Sequence, residues 1–108
     1  MRIGVVDYKA GNLKSVETAL HYLGADFIIG DKPELFRGLD KLIFPGVGEA
    51  KAAMNVLKES GLGEAIKEFY KSGNPLLGIC IGSQIVLDRS EERDTECLGI
   101  VRGKARRF

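Results

Sequence analysis

The chain has 108 residues, of which 44% are hydrophobic and 29% are charged, and its formal net charge is +1. This composition is typical of one soluble globular domain, and the near-neutral charge excludes nucleic acid and anionic membranes as expected partners. The N-terminal segment is too short and too soon charged for a signal peptide, and no apolar stretch approaches membrane-spanning length, so we expect a cytoplasmic protein.

The first third of the chain predicts two strands joined by a helix. Arg2–Val6 is apolar and rich in β-branched residues, which is typical of a buried strand. A helix follows, with Asn12 as its N-cap and Gly24 as its end, and Ala25–Ile29 predicts the second strand. The apolar face of the helix comprises Leu13, Val16, Ala19, Leu20 and Leu23.

The middle of the chain predicts a third strand and two more helices. Asp31–Pro33 opens a short helix or turn with Leu35 and Phe36 facing inward, and Lys41–Phe44 predicts the strand. Two helical faces follow, separated by Gly61. Their apolar positions are Ala50, Ala53, Met54 and Leu57 in the first, and Leu62, Ala65, Ile66 and Phe69 in the second, which stops at Gly73.

The last third of the chain predicts one strand, a short helix and a terminal hairpin. Pro75–Cys80 predicts the fourth strand and Gly82–Leu87 the helix after it. Asp88–Glu96 is polar and predicts a loop. Leu98–Val101 and Lys104–Phe108 predict the two strands of a closing hairpin.

Strands that alternate with helices predict an α/β fold, an open and mostly parallel sheet with helices on both faces. In such sheets, ligands bind beyond the carboxyl ends of the strands. Three loops are predicted to meet at this edge, namely Asp7–Asn12, Pro45–Gly48 and Cys80–Gln84. The edge is therefore the predicted functional site.

Cys80 lies where the fourth predicted strand turns into a helix, between Gly78 and Gly82. A sharp strand-to-helix turn of this kind exposes a nucleophile, as in the G-x-S-x-G elbow, and the N-terminus of the following helix favours the thiolate. The alternative is a buried structural cysteine, but the two glycines and the helix-start position favour the nucleophile. Cys97 has neither metal-site nor disulfide-framework spacing to Cys80 and is predicted to be an inert thiol.

The loop Pro45–Gly48 contains two glycines, a composition that also occurs in phosphate-binding loops. Lys51 stands where a dinucleotide-binding pattern requires a small residue, and no G-K-S/T follows. Neither motif is present, and no cofactor or metal is expected. Two interpretations of the loop remain open: a flexible loop whose amides donate to an oxyanion, as acyl transfer requires, and a plain tight turn.

Cysteine acyl chemistry ordinarily needs a base, usually histidine, to activate the thiol. The chain has one histidine, and this residue, His21, falls near the end of the first helix, far from the carboxyl ends of the strands. We therefore expect His21 to be a surface residue and the base to be missing. Gln84 faces either substrate or solvent, while Asp7 and Asn12 are predicted mainly to tie the first loop.

Four segments together carry a family resemblance: Asp7–Val16, Phe44–Gly48, Gly78–Gln84 and Ser90–Glu92. In order and spacing they resemble the class I (triad) glutamine amidotransferases, and among these the glutamine amidotransferase subunits of imidazole glycerol phosphate synthase, an enzyme of histidine biosynthesis. The resemblance runs along essentially all 108 residues. It implies a flavodoxin-like fold and glutaminase activity without a cofactor.

The resemblance also implies a mechanism and a partner. Cys80 would attack the side-chain amide of glutamine, form a glutamyl thioester and release ammonia, which would pass to a cyclase subunit, a (β/α)₈ barrel. The implied roles are oxyanion amides for Val47 and Ile81, glutamine contacts for Gly46, Gly48 and Gln84, and the partner interface for Asn12.

The chain departs from the family pattern at Lys9, Glu49 and Ser83, where glycine, a small or aromatic residue and methionine are usual. Family members run to roughly 200 residues and carry the triad histidine and glutamate in their C-terminal half. Residues 1–108 are expected to be the N-terminal part of a single amidotransferase domain whose C-terminal half is missing. We expect little or no glutamine hydrolysis by these residues alone, and an open sheet edge that favours association.

Two alternative functions use the same residues. A non-catalytic, partner-binding module would keep the partner-facing loop without the triad. A paralogous amidotransferase that supplies ammonia to another acceptor, for example in surface-sugar amidination, is suggested by Lys9, Glu49 and Ser83.

Overall fold

The fold is built on a sheet of four parallel strands connected by helices. The computed structural model describes residues 1–8, 13–46, 50–91 and 95–106. The elements of this sheet and its helices are β1 (Arg2–Val6), α1 (Lys14–Tyr22), β2 (Asp26–Gly30), a 3₁₀ helix (Pro33–Phe36), β3 (Lys41–Phe44), α2 (Ala50–Ser60), α3 (Leu62–Lys71), β4 (Leu76–Gly78) and α4 (Ile81–Ile85). The strand order is β2–β1–β3–β4, which confirms the predicted α/β class.

A second, smaller sheet follows α4. It comprises β5 (Arg89–Ser90), β6 (Thr95–Glu96) and β7 (Lys104–Ala105), with β5 antiparallel to β6 and parallel to β7. No helix within the described ranges is long and apolar enough to cross a membrane.

Helices cover both faces of the main sheet. The chain moves from β1 to β2 in one direction and from β2 to β3 in the other, so right-handed crossovers place α1 on one face and the 3₁₀ helix, α2 and α3 on the opposite face. The main core lies on the second face. Its buried residues include Val6, Leu42 and Phe44 of the sheet, and Ala50, Ala53, Met54, Leu57, Leu62, Ile66 and Phe69 of α2 and α3, which confirms the two predicted helical faces except at half-buried Ala65.

The ends of α1 show how the sequence limits this helix. Leu13 occupies the N-cap position and makes no side-chain capping bond, whereas the predicted cap, Asn12, lies outside the described residues. The predicted end is confirmed, because Gly24 has φ 68°, the left-handed conformation that terminates a helix without a Cβ penalty.

Strand β4 lies at the edge of the main sheet. Val5, Ile43 and Leu77 form one row across β1, β3 and β4. Their exposure rises along that row from 0% at Val5 to 55% at Leu77, and Ile79 beyond the strand is 37% exposed. This face therefore loses its cover towards β4, in agreement with the open edge expected from the sequence.

Four expectations about local structure are wrong. β2 begins and ends one residue later than predicted, and Leu35 is 38% exposed rather than facing inward. The predicted terminal hairpin is also absent from the described residues, because the 98–101 segment pairs with the end of α4 instead of with a strand. Its amides at Leu98 and Val101 donate to the carbonyls of Ile85 and Val86, acceptors that a helix C-terminus leaves free. Part of the predicted 88–96 loop instead forms β5 and β6.

Candidate active site

The turn between β4 and α4 holds Cys80 in a strained backbone conformation. Cys80 has φ 56° and ψ −120°. Among the described residues, it is the only one other than glycine that has a positive φ. The Gly82 amide donates to the Ile79 carbonyl at 3.0 Å, which closes a type II′ turn with Cys80 at its second position. A side chain in this region costs about 1–3 kcal/mol and persists only where the surroundings enforce it.

Two glycines allow the turn to pack against its neighbours. A Cβ on Gly82 would overlap the carbonyl oxygen of Phe44 and lie 3.0 Å from its carbon, and a Cβ on Gly78 would lie 2.9 Å from the Gly82 oxygen. Both obstacles are backbone atoms, which cannot swing aside as a side chain does. The glycines predicted to flank the nucleophile are therefore required by close approach of the backbone.

Hydrogen bonds fix the turn to β3 and to α4. The Ile79 amide donates to the Phe44 carbonyl at 3.0 Å, and the Ser83 amide donates to the Cys80 carbonyl at 2.9 Å. The Ser83 hydroxyl donates to the same carbonyl at 2.6 Å. The sequence analysis noted Ser83 only as a departure from the family pattern; a serine three residues after a turn position is the local signal for this bond.

The two cysteines have opposite environments. Cys80 is exposed and Cys97 is buried. Burial raises the pKa of the Cys97 thiol, and its sulfur donates weakly to the Thr95 carbonyl at 3.6 Å. The structure thus exposes Cys80 and buries Cys97, and burial supports the prediction that Cys97 is an inert thiol.

Iodoacetamide is expected to alkylate Cys80 at least about 100-fold faster than Cys97 at pH 7.5, because reaction of the buried thiol requires local opening as well as deprotonation. Intact-mass spectrometry with peptide mapping measures the two rates. In a Cys80→Ala variant the folded chain should stay almost unlabelled. Similar rates at both cysteines would contradict the assigned environments.

The remaining predicted site residues are only partly placed. Gly46 is buried just beyond β3, and Gln84 is half-buried in α4. The Ile81 amide begins α4, and the turn bonds given above use the amides of Gly82 and Ser83. The other predicted positions, Val47, Gly48 and Asn12, together with Lys9 and Glu49, lie outside the described residues, so both interpretations of the glycine loop stay predictions.

His21 lies at the opposite end of the sheet from Cys80. Its ring packs edge-on against Phe27, near the start of β2, with centroids 5.0 Å apart, and its side chain is 70% exposed beside Glu17. Because α1 runs antiparallel to the strands, this position is at the amino edge. The expectation that His21 is a surface residue is confirmed.

Tyr8 is a buried polar residue at this edge that the sequence analysis passed over. It follows β1, is 2% exposed, and its ring packs on Phe44 with centroids 5.0 Å apart. Its hydroxyl has no hydrogen-bond partner among the described residues. Burial, and secondarily the charge of Cys80, raise the pKa of the Tyr8 phenol.

Several cavities lie elsewhere on the described part of the chain. One of about 280 Å³ is lined by the 3₁₀ helix and the end of α3, including Phe36, Arg37, Phe69 and Asn74, at the amino edge of the sheet. Within the described ranges there is also no cluster of histidine, cysteine and carboxylate side chains suited to a metal ion. The elbow is the candidate site because it combines an exposed thiol with a strained turn.

Comparison with known proteins gives consistent matches. The chain matches the model of the CobB/CobQ-like glutamine amidotransferase domain over residues 11–103. It is 49% identical over 106 residues to imidazole glycerol phosphate synthase subunit HisH of Nitratidesulfovibrio vulgaris (strain DP4), covering 98% of this chain and 50% of that protein. It is 51% identical over 108 residues to the subunit of the same name from Geobacillus thermodenitrificans (strain NG80-2), covering 98% and 50%.

A solved crystal structure of a glutamine amidotransferase resembles the fold, with a TM-score of 0.80 and 24% identity over 94% of this chain and 54% of that chain. The likeness extends the flavodoxin-like assignment to the whole described sheet. The chain spans about half the length of the curated relatives it matches.

Proposed function

The chain belongs to the glutamine amidotransferase family that includes the HisH subunits of imidazole glycerol phosphate synthase, and from this premise we propose that it forms the nucleophile-bearing half of a glutaminase. The observation that carries the proposal is the exposed, strained Cys80 in its glycine-flanked elbow. Residues 1–108 would be the N-terminal part of a single amidotransferase domain, and the additional length of the relatives would complete it.

The proposed chemistry is acyl transfer through Cys80. The thiolate attacks the side-chain carbonyl carbon of glutamine, a carbon–sulfur bond forms, and the carbonyl oxygen becomes an oxyanion. Collapse of this intermediate breaks the carbon–nitrogen bond, and the nitrogen takes up a proton and leaves as ammonia. Water then attacks the glutamyl thioester, which releases glutamate and restores the thiol.

The amides around the elbow suit the developing oxyanion. The Ile81 amide directly follows Cys80 at the start of α4, the position used in strand-to-helix nucleophile elbows. Val47 follows β3, the strand beside β4, and would supply the second donor. Gly46, Gly48 and Gln84 are proposed to contact the glutamine.

The acid–base partner of Cys80 is proposed to lie in the C-terminal half of the complete domain. His21 is at the wrong edge of the sheet, and the family resemblance assigns the triad histidine and glutamate to that half. Packing of this half beside β4 is consistent with the exposed Leu77 and Ile79 at the open edge. Residues 1–108 would therefore contain the reacting sulfur of Cys80 but not the histidine that activates it.

A second subunit is proposed to receive the ammonia. The relatives are subunits of imidazole glycerol phosphate synthase, and the resemblance assigns the acceptor reaction to a (β/α)₈ barrel cyclase in histidine biosynthesis. Asn12, in the loop after β1, is proposed to face that partner. The proposed product of this chain's chemistry is ammonia delivered without release to solvent.

Glutamate release is the direct test, in residues 1–108 alone and in an extended chain. The extended chain carries residues 1–108 followed by the C-terminal half of the Geobacillus thermodenitrificans relative. We expect the extended chain, with the cyclase subunit of that organism, to hydrolyse glutamine at least about 10²-fold faster than residues 1–108 alone, because positioned acid–base catalysis contributes about 10²–10⁴-fold.

The control is the Geobacillus C-terminal half alone, which lacks the nucleophile and should be inactive. An extended chain that binds the cyclase subunit in light scattering but releases no glutamate would replace the proposal with the partner-binding module. Robust turnover by residues 1–108 alone would contradict the assignment of the base to the other half.

A further inference from the structure

The Tyr8 hydroxyl is a buried hydrogen-bonding group with no described partner. Only 2% of the Tyr8 surface is exposed, and a buried hydroxyl without a hydrogen-bond partner is destabilising. A phenylalanine would fill the same apolar space without this penalty. An orphaned polar group of this kind in an otherwise apolar core points to a partner that forms only in another state of the site.

The sheet register brings Tyr8 level with Cys80. Val5, Ile43 and Leu77 form one row across β1, β3 and β4, and Tyr8 and Cys80 each lie three residues beyond that row on their own strands. Two strand spacings, about 10 Å, separate these backbones. The Tyr8 ring lies over Phe44 of the intervening strand, so the side chain occupies part of this gap.

Phe44 also connects Tyr8 to the elbow itself. The Phe44 carbonyl accepts a hydrogen bond from the Ile79 amide at 3.0 Å and lies against Gly82. The Phe44 ring packs on the Tyr8 ring. The phenol therefore sits against the same strand end that positions the nucleophile. Its electrostatic coupling to Cys80 agrees with this placement.

We propose that the Tyr8 hydroxyl is a hydrogen-bond donor to the Cys80 thiolate, a role that rests on the proposed function of Cys80 as nucleophile. The hydroxyl and the Cys80 sulfur are not hydrogen-bonded in this structure, and a neutral thiol is only a weak acceptor. The thiolate is a strong acceptor, and the bond to it favours the ionised, nucleophilic form.

The phenol is suited to this role because it keeps its proton. Burial, and then the charge of Cys80, raise the pKa of Tyr8 above its ordinary value, so the hydroxyl stays a donor wherever the thiolate forms. The other charged side chains at this edge are Asp7 after β1, Lys14 in the first turn of α1, Asp31 and Lys32 after β2, and Lys51 in the first turn of α2. The described parts of β3, β4 and α4 add none there.

The pH dependence of Cys80 alkylation by iodoacetamide tests the proposal without requiring glutaminase activity. Tyr8→Phe is expected to raise the midpoint of the rate–pH curve by about one unit and to lower the rate at pH 7 about tenfold, because a bond to a charged acceptor is lost. The limiting rate at high pH should change less than about threefold. Tyr70→Phe, which removes a hydroxyl from an exposed tyrosine, is the matched control and should leave the midpoint unchanged.

Thermal unfolding of the parent chain and of Tyr8→Phe supplies the second readout. Tyr8→Phe should melt at the same temperature as the parent chain or a few degrees higher, because an unsatisfied hydroxyl is removed. An unchanged alkylation midpoint overturns the proposal. A clear loss of melting temperature also overturns it, since the hydroxyl would then already have a structural partner in the resting chain.

Both measurements are repeated in the extended chain, so that marginal folding of residues 1–108 does not obscure the result. The inference and the proposed function fail separately. A shifted alkylation midpoint in an extended chain that releases no glutamate retains the thiolate contact and rejects the glutaminase. Glutamate release with an unshifted alkylation midpoint retains the glutaminase and rejects the contact between Tyr8 and the thiolate.

Discussion

Replacing Cys80 by serine is expected to lower glutamine hydrolysis by the extended chain at least about 10³-fold, with little change in KM. A serine hydroxyl stays protonated where a thiol ionises, so the variant lacks the nucleophile while keeping nearly the same shape. The described residues offer no histidine near position 80 to activate a hydroxyl, since His21 packs on Phe27 at the other edge. Glutamate release measured with saturating glutamine reports kcat directly.

Cys97→Ser is the matched control for this substitution. Cys97 directly follows β6 and is buried in the core, outside the elbow, so its replacement should change kcat less than about threefold, although a buried hydroxyl reduces stability somewhat. Equal losses in the two variants would show that hydrolysis depends on general stability, and would remove Cys80 from the mechanism.

Replacing Gly82 by alanine is expected to destabilise the chain by about 3 kcal/mol or more, and so to lower Tm by at least about 12 °C. The new Cβ would overlap the Phe44 carbonyl oxygen. That carbonyl is held in turn by the Ile79 amide, so relief of the overlap requires β3 and α4 to separate. Thermal unfolding followed by circular dichroism measures the shift.

Gly38→Ala separates this steric effect from ordinary loss of a glycine. Gly38 has φ 77° and open space where its Cβ would lie, so the substitution introduces backbone strain without a collision. We expect a cost of about 1 kcal/mol. A Gly82→Ala chain that melts no lower than Gly38→Ala would rule out the close contact between α4 and the end of β3.

Much of the fold could be predicted because local signals and burial agree along the chain. Leu57 and Ile66 recur at helical spacing and are fully buried, and Gly24 ends α1 where the periodicity stops. The C-terminal segment was mispredicted since its short apolar run around Leu98 has no partner strand. Its amides instead donate to carbonyls at the end of α4. This pairing joins segments that are distant in the sequence, so local sequence patterns do not predict it.

The sequence by itself predicted the candidate nucleophile and its setting. A cysteine between two glycines at a strand-to-helix boundary already predicts an elbow, because only glycine permits the close backbone approach there. The order of alternating strands and helices likewise predicted which loops share the carboxyl edge.

Only the tertiary structure decided what surrounds that nucleophile. Tyr8 and Cys80 are 72 positions apart in the chain, yet the pairing of three strands brings Tyr8 and the turn around Cys80 against Phe44. The orphaned hydroxyl of Tyr8, the backbone overlap that requires Gly82 and the removal of His21 to the far edge all follow from strand register and helix direction. These are properties of packing between distant segments, which residue types and their spacing do not specify.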